Sequence, residues 1–341
     1  ITAQIGSPPQ TVYVQLDTGS NELWVYSNCD ESDSPSICAD FGIYDPTKSS
    51  TSTDTEVEFG ITYGKGSVNG IYYIDTVALA GISLPTTQFG VATTSSALFD
   101  GIMGVSFGYP YNTLYYNVID KLYADGKTNS KLFSLGLGSA TTAEGEIVFG
   151  GIDTMKYSGY LALIPILFPG PDGSYRYWVN LNSLGNTQPG ASSSNVYTVT
   201  DYSLSVILDS GTTLSYIPQA LFNLVLADFP EAAQQSSGIY SVPCSYVTES
   251  GTIDFGFGNM IIHVPYSQFI YQPSAGSCYL GFLPSASGDI PILGDTFLRG
   301  AYVVYDQSQT SIYLANYVNC GSSLVAVPAG YGAASAFKGQ C

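Results

Sequence analysis

Short runs rich in Val, Ile, Tyr and Thr make up most of the chain. Clusters of Gly, Ser, Asp and Pro separate these runs at intervals of about eight to twelve residues. Such spacing is typical of short β-strands joined by tight turns. The pattern therefore predicts an all-β protein with few helices.

Two stretches depart from the strand pattern and predict helices of about three turns each. The first runs from Asn112 to Asp125 and the second from Pro218 to Phe229. Apolar residues recur on one side of each predicted helix: Leu114, Val118 and Leu122 in the first, and Leu221, Phe222, Val225 and Phe229 in the second.

The chain contains an internal repeat. Val14–Ser20 (VQLDTGS) recurs as Val206–Thr212 (VILDSGT), which places Asp209 192 residues after Asp17 (209 − 17 = 192). Asp100–Gly104 (DGIMG) has a similar counterpart in Pro291–Gly294 (PILG) at nearly the same offset. The sequence therefore predicts two related halves.

A chain of 341 residues is also longer than a single hydrophobic core usually accommodates, which favours two domains. We expect an N-terminal lobe over residues 1–157, a C-terminal lobe over 158–315 and a tail over 316–341.

Each repeat carries an Asp at the end of an apolar strand, followed by a hydroxyl residue and a glycine. A single Asp-Thr-Gly or Asp-Ser-Gly sequence is an ordinary turn. Here both copies are followed by an apolar-apolar-Gly element, 85 residues on in the first half (102 − 17 = 85) and 83 in the second (292 − 209 = 83). A two-fold arrangement of the halves would bring Asp17 and Asp209 to one central cleft.

The charge of the chain excludes nucleic acid as a partner. Nine Lys and Arg face 27 Asp and Glu, which gives a formal charge of −18 and a pI near 4.1. Binding to phosphates needs clustered basic side chains, and the sequence has none. An acidic medium would neutralise carboxylates and relieve their mutual repulsion, although general solubility would explain the charge equally well.

Six cysteines fall into three couples that are local in sequence, and local pairing is the simplest of the 15 possible connectivities. Disulfides indicate an oxidising compartment. The cysteines are widely spaced and His263 is the only histidine, so the sequence predicts neither a metal site nor a cofactor. His263 has no nucleophile signature beside it and is expected to be an ordinary strand residue.

No apolar run approaches the roughly 18 residues of a membrane helix, and no charged-then-apolar leader opens the chain. Any signal peptide and pro-segment are therefore expected upstream of Ile1. The Gly-rich stretch Gly60–Gly66 resembles a phosphate loop only loosely, because Gly66 stands where Ser or Thr should follow Lys65.

Six motifs together resemble the pepsin family of aspartic proteases over nearly the whole chain, and in particular the candidapepsins, which are secreted by yeasts. The motifs are Ile5–Gln10, Asp17–Ser20, Leu23–Val25, Tyr63–Ser67, Asp209–Thr213 and Ile292–Arg299. The resemblance implies a pepsin-like acid protease fold, in which two pseudo-two-fold-related β lobes with a few short helices flank a cleft.

The resemblance also implies a mechanism. Asp17 and Asp209 would share one proton over an acidic pH range, since two neighbouring carboxylates cannot both ionise cheaply. The ionised partner would take a proton from a water molecule, which attacks the peptide carbonyl while the protonated partner donates to the carbonyl oxygen.

Supporting roles follow from the same resemblance. Thr18 and Ser210 would brace the two active-site turns, and Ser20 and Thr212 would donate to the outer carboxylate oxygens. Gly19 and Gly211 would allow the tight turns themselves. A hairpin flap carrying Tyr63, Gly64 and Lys65 would close over the substrate, with Trp24 supporting the Tyr63 hydroxyl.

Substrate pockets are expected beside the catalytic residues. Phe99, Ile102 and Tyr63 would line one central pocket, and Ile207 would line the other. Because alternate strand residues share a face, Gln15 should face the same way as Asp17, about 7 Å along the strand. It would then form a pocket wall where relatives carry an aliphatic residue. The alternative is that Gln15 bonds a neighbouring loop and never meets substrate.

Two cysteine pairs, Cys29–Cys38 and Cys244–Cys278, match disulfides of the family. Cys320 and Cys341 depart from the common yeast pattern. We expect a third bridge that pins the tail, the alternative being a mobile tail with two free thiols.

The sequence thus predicts a secreted, monomeric aspartic endopeptidase, made as a zymogen and active at acidic pH. It would hydrolyse proteins and peptides with broad specificity and an apolar preference around the scissile bond, and would bind pepstatin-like inhibitors. The cell wall and the acidic vacuole are alternative locations. The alternative is a binding protein that kept the fold and lost catalysis. Such proteins usually carry a substitution of one catalytic Asp or a disrupted Asp-Thr-Gly turn.

Overall fold

The computed structural model describes residues 1–30, 32–142, 145–286 and 288–341. The chain divides into two compact units, Ile1–Lys127 and Thr128–Cys341. This division falls before the lobe boundary expected at residue 157, because strand Leu132–Gly136 pairs with strand Ala301–Asp306. The extent of the predicted lobes and tail remains a prediction.

The first unit is built on one seven-stranded sheet in the order β1-β2-β7-β3-β6-β5-β4, with β1 also pairing with β5. Its strands are β1 Thr2–Ile5, β2 Gln10–Asp17, β3 Leu23–Tyr26, β4 Thr53–Thr62, β5 Ser67–Leu79, β6 Ile82–Ser96 and β7 Gly101–Gly104.

The second unit contains several smaller sheets. The sheet that carries the second repeat has the order β13-β16-β25-β17-β24, and a second five-stranded sheet has the order β12-β27-β26-β8-β9. The strands of these two sheets are β8 Leu132–Gly136, β9 Glu146–Phe149, β12 Ala162–Pro165, β13 Trp178–Leu181, β16 Leu204–Leu208, β17 Ser215–Pro218, β24 Phe282–Ser285, β25 Ile292–Leu293, β26 Ala301–Asp306 and β27 Ser311–Asn316.

Two four-stranded sheets, β15-β14-β20-β21 and β18-β19-β23-β22, and two strand pairs, β10-β28 and β11-β29, complete the unit. Their strands are β10 Gly151–Asp153, β11 Ser158–Tyr160, β14 Ser183–Thr187, β15 Asn195–Val196, β18 Ala233–Gln234, β19 Tyr240–Ser241, β20 Thr252–Phe257, β21 Met260–Pro265, β22 Tyr271–Ser274, β23 Ser277–Tyr279, β28 Leu324–Ala326 and β29 Lys338–Gln340. The prediction of a β-rich chain is confirmed.

The helices are few and short. They are α1 Pro35–Asp40, α2 Val118–Ala124, α3 Gln219–Ala227, α4 Tyr266–Phe269 and α5 Asp295–Leu298, with 3₁₀ turns at Pro46–Lys48, Cys244–Thr248 and Ala333–Ala336. The helix predicted over residues 218–229 is α3 with nearly the expected bounds.

The helix predicted over residues 112–125 begins six residues later than expected. Asn117 caps α2, because its side chain accepts from the Asp120 N–H while the Asp120 carboxylate accepts from the Asn117 N–H. Leu114 therefore lies outside the helix and is 96% exposed, whereas Val118 and Leu122 are buried. The assignment of Leu114 to the apolar stripe was wrong.

The sequence repeat corresponds to the same strand pairing in both units. Strand β2 runs parallel to β7, with Asp17 opposite Gly104. Strand β16 runs parallel to β25, with Leu208 opposite Leu293. In each unit the apolar-apolar-Gly element therefore lies beside the strand that leads into the repeated Asp.

The last residues of the chain pair with earlier strands of the second unit. Strand β28 pairs with β10, and β29 pairs with β11. The six cysteines form the disulfides Cys29–Cys38, Cys244–Cys278 and Cys320–Cys341, with S–S distances of 2.09, 2.04 and 2.06 Å. These are the three pairs expected from the sequence, and the last one closes the tail.

Candidate active site

Asp17 ends strand β2 in a tight turn that holds its carboxylate. The Gly19 N–H donates to Oδ1 at 2.8 Å, and the Ser20 hydroxyl donates to Oδ2 at 2.5 Å. The side chain is 5% exposed. A buried carboxylate needs such donors, because an unpaired charge out of water is costly.

Asp209 has the same partners in the second unit. The Gly211 N–H donates to Oδ1 at 2.8 Å, and the Thr212 hydroxyl donates to Oδ2 at 2.7 Å. Asp209 is 9% exposed. Each of the two turns therefore presents a carboxylate fixed by one backbone and one hydroxyl donor.

A glycine at the end of the parallel strand packs against the base of each turn: Gly104 ends β7, and Gly294 directly follows β25. A Cβ on Gly104 would lie 2.4 Å from the Glu22 nitrogen, and one on Gly294 would lie 2.2 Å from the Thr212 oxygen. No side chain fits at either position. The spaced glycine after each Asp motif is therefore a packing requirement of the turn.

Thr18 and Ser210 follow the two aspartates and are buried, with exposures of 0% and 7%. Both make polar interactions. Buried hydroxyl groups are generally hydrogen-bonded in folded proteins.

Tyr63 occupies the turn between β4 and β5, as the sequence predicts for a flap. Its N–H bonds the Gly66 oxygen at 2.9 Å, and Gly66 has a φ of 88°, which favours glycine. The Trp24 indole N–H donates to the Tyr63 hydroxyl at 2.8 Å. Gly64 and Lys65 are exposed at the tip.

The residues proposed as pocket walls differ in exposure. Ile102 and Ile207 are 4% and 2% exposed, whereas Phe99 is 45% exposed. Phe99 packs against Phe41 with ring centroids 6.1 Å apart. Gln15 is exposed and lies in register with Ile102.

Two groups near these turns, the Tyr63 hydroxyl and the Asp295 carboxyl, have pKa values above their ordinary ones. Burial raises the pKa of the Tyr63 hydroxyl, and the charges of Asp17 and Glu22 raise it further. Burial also raises the pKa of Asp295 to about 7; the Arg299 charge opposes this shift and the Asp209 charge adds to it. Both groups are therefore neutral in an acidic medium.

Glu22 and Asp295 were not predicted as site residues from the sequence. Glu22 lies between the motifs Asp17–Ser20 and Leu23–Val25, and Asp295 lies within the motif Ile292–Arg299. For Asp295, an acidic residue in a largely apolar segment was a signal that could have found it. His263 was expected to be an ordinary strand residue; it lies in β21, and its Nδ1 is 2.6 Å from an Asp254 carboxylate oxygen.

Within the described residues, no group of three or more His, Cys, Asp or Glu side chains is placed to hold a metal ion. Across the same residues, no helix is long and apolar enough to cross a membrane.

Comparison with known proteins identifies the family. The sequence model of the eukaryotic aspartyl protease family matches residues 1–317 of this chain. The chain is 35% identical to secreted aspartic protease 8 of Candida albicans, over 95% of this chain and 77% of the relative. It is 33% identical to the probable aspartic-type endopeptidase opsB of Aspergillus oryzae, over 92% of this chain and 67% of the relative.

The crystal structure of the aspartic proteinase from Irpex lacteus is similar, with a TM-score of 0.74, 27% identity and 93% coverage of both chains. The expected pepsin-like fold and the resemblance to candidapepsins are confirmed. The chain belongs to the eukaryotic aspartyl protease family and is an aspartic endopeptidase.

Proposed function

We propose that this endopeptidase cleaves proteins at acidic pH by means of a water molecule activated by Asp17 and Asp209. One observation carries the proposal: the same turn occurs twice, with the same two donors on each carboxylate. Both turns are intact, which argues against a binding protein that has lost catalysis.

In the proposed mechanism the two carboxyl groups hold one proton between them. The ionised group accepts a proton from water, and the oxygen of that water attacks the peptide carbonyl carbon. The protonated group donates to the carbonyl oxygen, which gives a tetrahedral intermediate without an acyl-enzyme. The group that took the proton from water then donates it to the amide nitrogen, and the C–N bond breaks. The other, ionised group takes a proton from a hydroxyl of the intermediate, which releases the amine and carboxylic acid products and restores the shared proton.

Hydrogen bonds that already exist in each turn support this chemistry. Donors to each carboxylate fix its orientation before substrate arrives, so little reorganisation is needed during the reaction. Thr18 and Ser210 would brace the two turns. Tyr63, held by Trp24, would close over the substrate and exclude water, which strengthens hydrogen bonds in the site.

The proposed substrate is an extended protein segment of about six to eight residues, bound through its backbone as an added strand. Apolar side chains on both sides of the scissile bond would be favoured, with Phe99, Ile102, Tyr63 and Gln15 near one pocket and Ile207 near the other. Pepstatin-like inhibitors would occupy the same site. The protein would act as a monomer after removal of a pro-segment.

Secretion is proposed on three grounds. The chain has three disulfides, which persist in oxidising compartments. Its net charge of −18 suits an acidic medium. One of the similar proteins, from Candida albicans, is named a secreted aspartic protease.

Cleavage of casein at about pH 4, with and without a statine-type inhibitor, tests the proposal. We expect inhibitor-sensitive cleavage by the wild-type protein. Binding of casein or of the inhibitor without cleavage would instead identify a binding protein of the same fold.

A further inference from the structure

Glu22 links three segments of the first unit. It lies five residues after Asp17, between the catalytic turn and strand β3. Its backbone oxygen accepts from the Gly104 N–H at 2.9 Å, so its position is fixed by the glycine that closes the base of the turn. From this backbone position the Glu22 side chain extends to Tyr72 and Tyr115.

Both tyrosine hydroxyls donate to the same carboxylate oxygen of Glu22. Tyr72 donates to Oε2, and Tyr115 donates to Oε2 at 2.7 Å. The two rings pack edge to face with centroids 5.4 Å apart. Hydrogen bonds to a charged acceptor are roughly twice as strong as neutral ones, so this carboxylate is a strong anchor for both rings.

Tyr72 connects the anchor to the flap. It lies in β5, the strand that returns from the turn at Tyr63, and its ring packs against Phe59 of the other flap strand at 5.2 Å. One hydrogen bond therefore joins the loop after Asp17 to the shaft of the flap hairpin.

Tyr115 connects the same carboxylate to the segment before α2. Asn117, two residues later, donates through Nδ2 to the Asn21 oxygen at 3.1 Å and to the Ser106 oxygen at 3.0 Å. Residues 21 and 22 are thus joined to this segment by two side chains. The Glu22 carboxylate is the point where flap, catalytic turn and helix cap meet.

We propose that Glu22 is a positioning residue that sets the placement of the Tyr63 flap relative to Asp17, through its hydrogen bond to Tyr72. This inference rests on the proposed function, since it assigns the flap a role in peptide cleavage. Burial is the main cause of the raised pKa of the Tyr63 hydroxyl, and the charge of Glu22 raises that pKa further. Glu22 acts on substrate only through the flap.

The test compares Glu22→Gln and Tyr72→Phe with Tyr73→Phe. Gln keeps the shape of Glu22 and one carbonyl acceptor but loses the charge, whereas Tyr72→Phe keeps the ring and removes only the hydroxyl. Tyr73→Phe is the matched control, because the neighbouring Tyr73 donates to the Asp54 carboxylate at 3.0 Å on the exposed side of the same strand.

Peptide hydrolysis is measured well below the melting temperature, together with Tm and the inhibition constant of a statine-type inhibitor. We expect Glu22→Gln and Tyr72→Phe each to lower kcat/KM by about tenfold and to weaken the inhibitor, with changes in both kcat and KM. The double variant should lose little more than either single one, because both remove the same link. Tyr73→Phe should stay within about twofold of wild type.

A lower Tm for Glu22→Gln and Tyr72→Phe, with kcat/KM and inhibition constant unchanged, would overturn the inference and leave Glu22 a purely structural residue. The same holds if Tyr73→Phe loses as much activity as Tyr72→Phe. Absence of peptidase activity in the wild-type protein would refute the proposed function instead, so the two failures are distinct.

Discussion

Glu146, which is half-buried, and Asp153, which is fully buried, form a coupled carboxyl pair in the second unit. Among the described residues, neither Glu146 Oε1 nor Asp153 Oδ2 has a hydrogen-bond donor, although both atoms are buried. Asp153 Oδ1 accepts from the Ser323 N–H at 2.8 Å and the Met155 N–H at 2.9 Å. A proton on Glu146 that is donated to Asp153 would satisfy both remaining oxygens.

Because of this pair, we expect the second unit to lose stability against unfolding near neutral pH. Burial and the Asp153 charge raise the pKa of Glu146 to about 7, against the opposing charge of Lys156. Because the folded-state pKa lies above the ordinary value of 4.5, the stabilisation is complete below pH 4.5 and is lost as the pH rises through about 7. Ser323 is held by Asp153, so the tail should loosen with it.

Glu146→Gln should remove much of this pH dependence, because the amide donates to Asp153 without titrating. We expect Tm of the variant to fall less than that of wild type between pH 5 and pH 8. A difference of about 1 kcal/mol corresponds to about 2–4 °C in a unit of this size. The exposed Glu231 provides the control, and Glu231→Gln should follow wild type. Parallel Tm curves for Glu146→Gln and wild type would refute the shared proton.

The tail disulfide should stabilise the second unit. Cys320 and Cys341 are 21 residues apart in sequence, and a loop of that length is worth roughly 3 kcal/mol in the loop-entropy model. The Cys320→Ser/Cys341→Ser double variant should lose about that much in denaturant unfolding. Thiol titration of denatured, unreduced wild-type protein should find no free thiols. Two free thiols would mean that the tail is not bridged.

Gln15 is expected to alter substrate preference at the residue before the scissile bond. It is exposed beside a cavity of about 580 Å³ that is also lined by Tyr13, Phe41 and Asp100. Burying an apolar substrate side chain against an amide removes water from that amide at a free-energy cost, which an aliphatic wall avoids. Gln15→Ile should therefore raise kcat/KM for Phe or Leu relative to Gln or Thr, by about tenfold for 1.4 kcal/mol.

A matched peptide series measures the Gln15 effect. Thr11→Ile is the control, because Thr11 is exposed on the same face of β2 but lies four residues before Gln15. An unchanged preference ratio for Gln15→Ile would show that Gln15 does not line the pocket.

Local features of the fold were predictable from sequence. The repeat predicted the two Asp turns, since their residues recur in register. The parallel pairing of each Asp strand with its apolar-apolar-Gly element was not predicted, because the repeat does not specify which strands pair. Helix α2 shows the limit of periodicity, because its start depends on the cap formed by Asn117 and Asp120 and not on the apolar spacing that included Leu114.

Contacts distant in sequence could not be predicted from these patterns. Glu22 meets Tyr72 and Tyr115 at separations of 50 and 93 residues. Asp153 meets Ser323 at a separation of 170. Such pairs depend on how the strands of a sheet are ordered, which neither the hydrophobic period nor a local motif specifies.

The kinetics of Asp17→Asn, Asp209→Asn and the double variant test the central claim most directly. Asn keeps the shape of each side chain and cannot share the proton, and residues that act as one unit are not additive. Asp30→Asn, at an exposed site, is the control for loss of a carboxylate elsewhere. We predict that each single variant loses more than about a thousandfold in kcat/KM, with little further loss in the double variant. Retention of about a tenth of the wild-type kcat/KM by either single variant, a loss of only about 1.4 kcal/mol, would contradict a shared-proton mechanism.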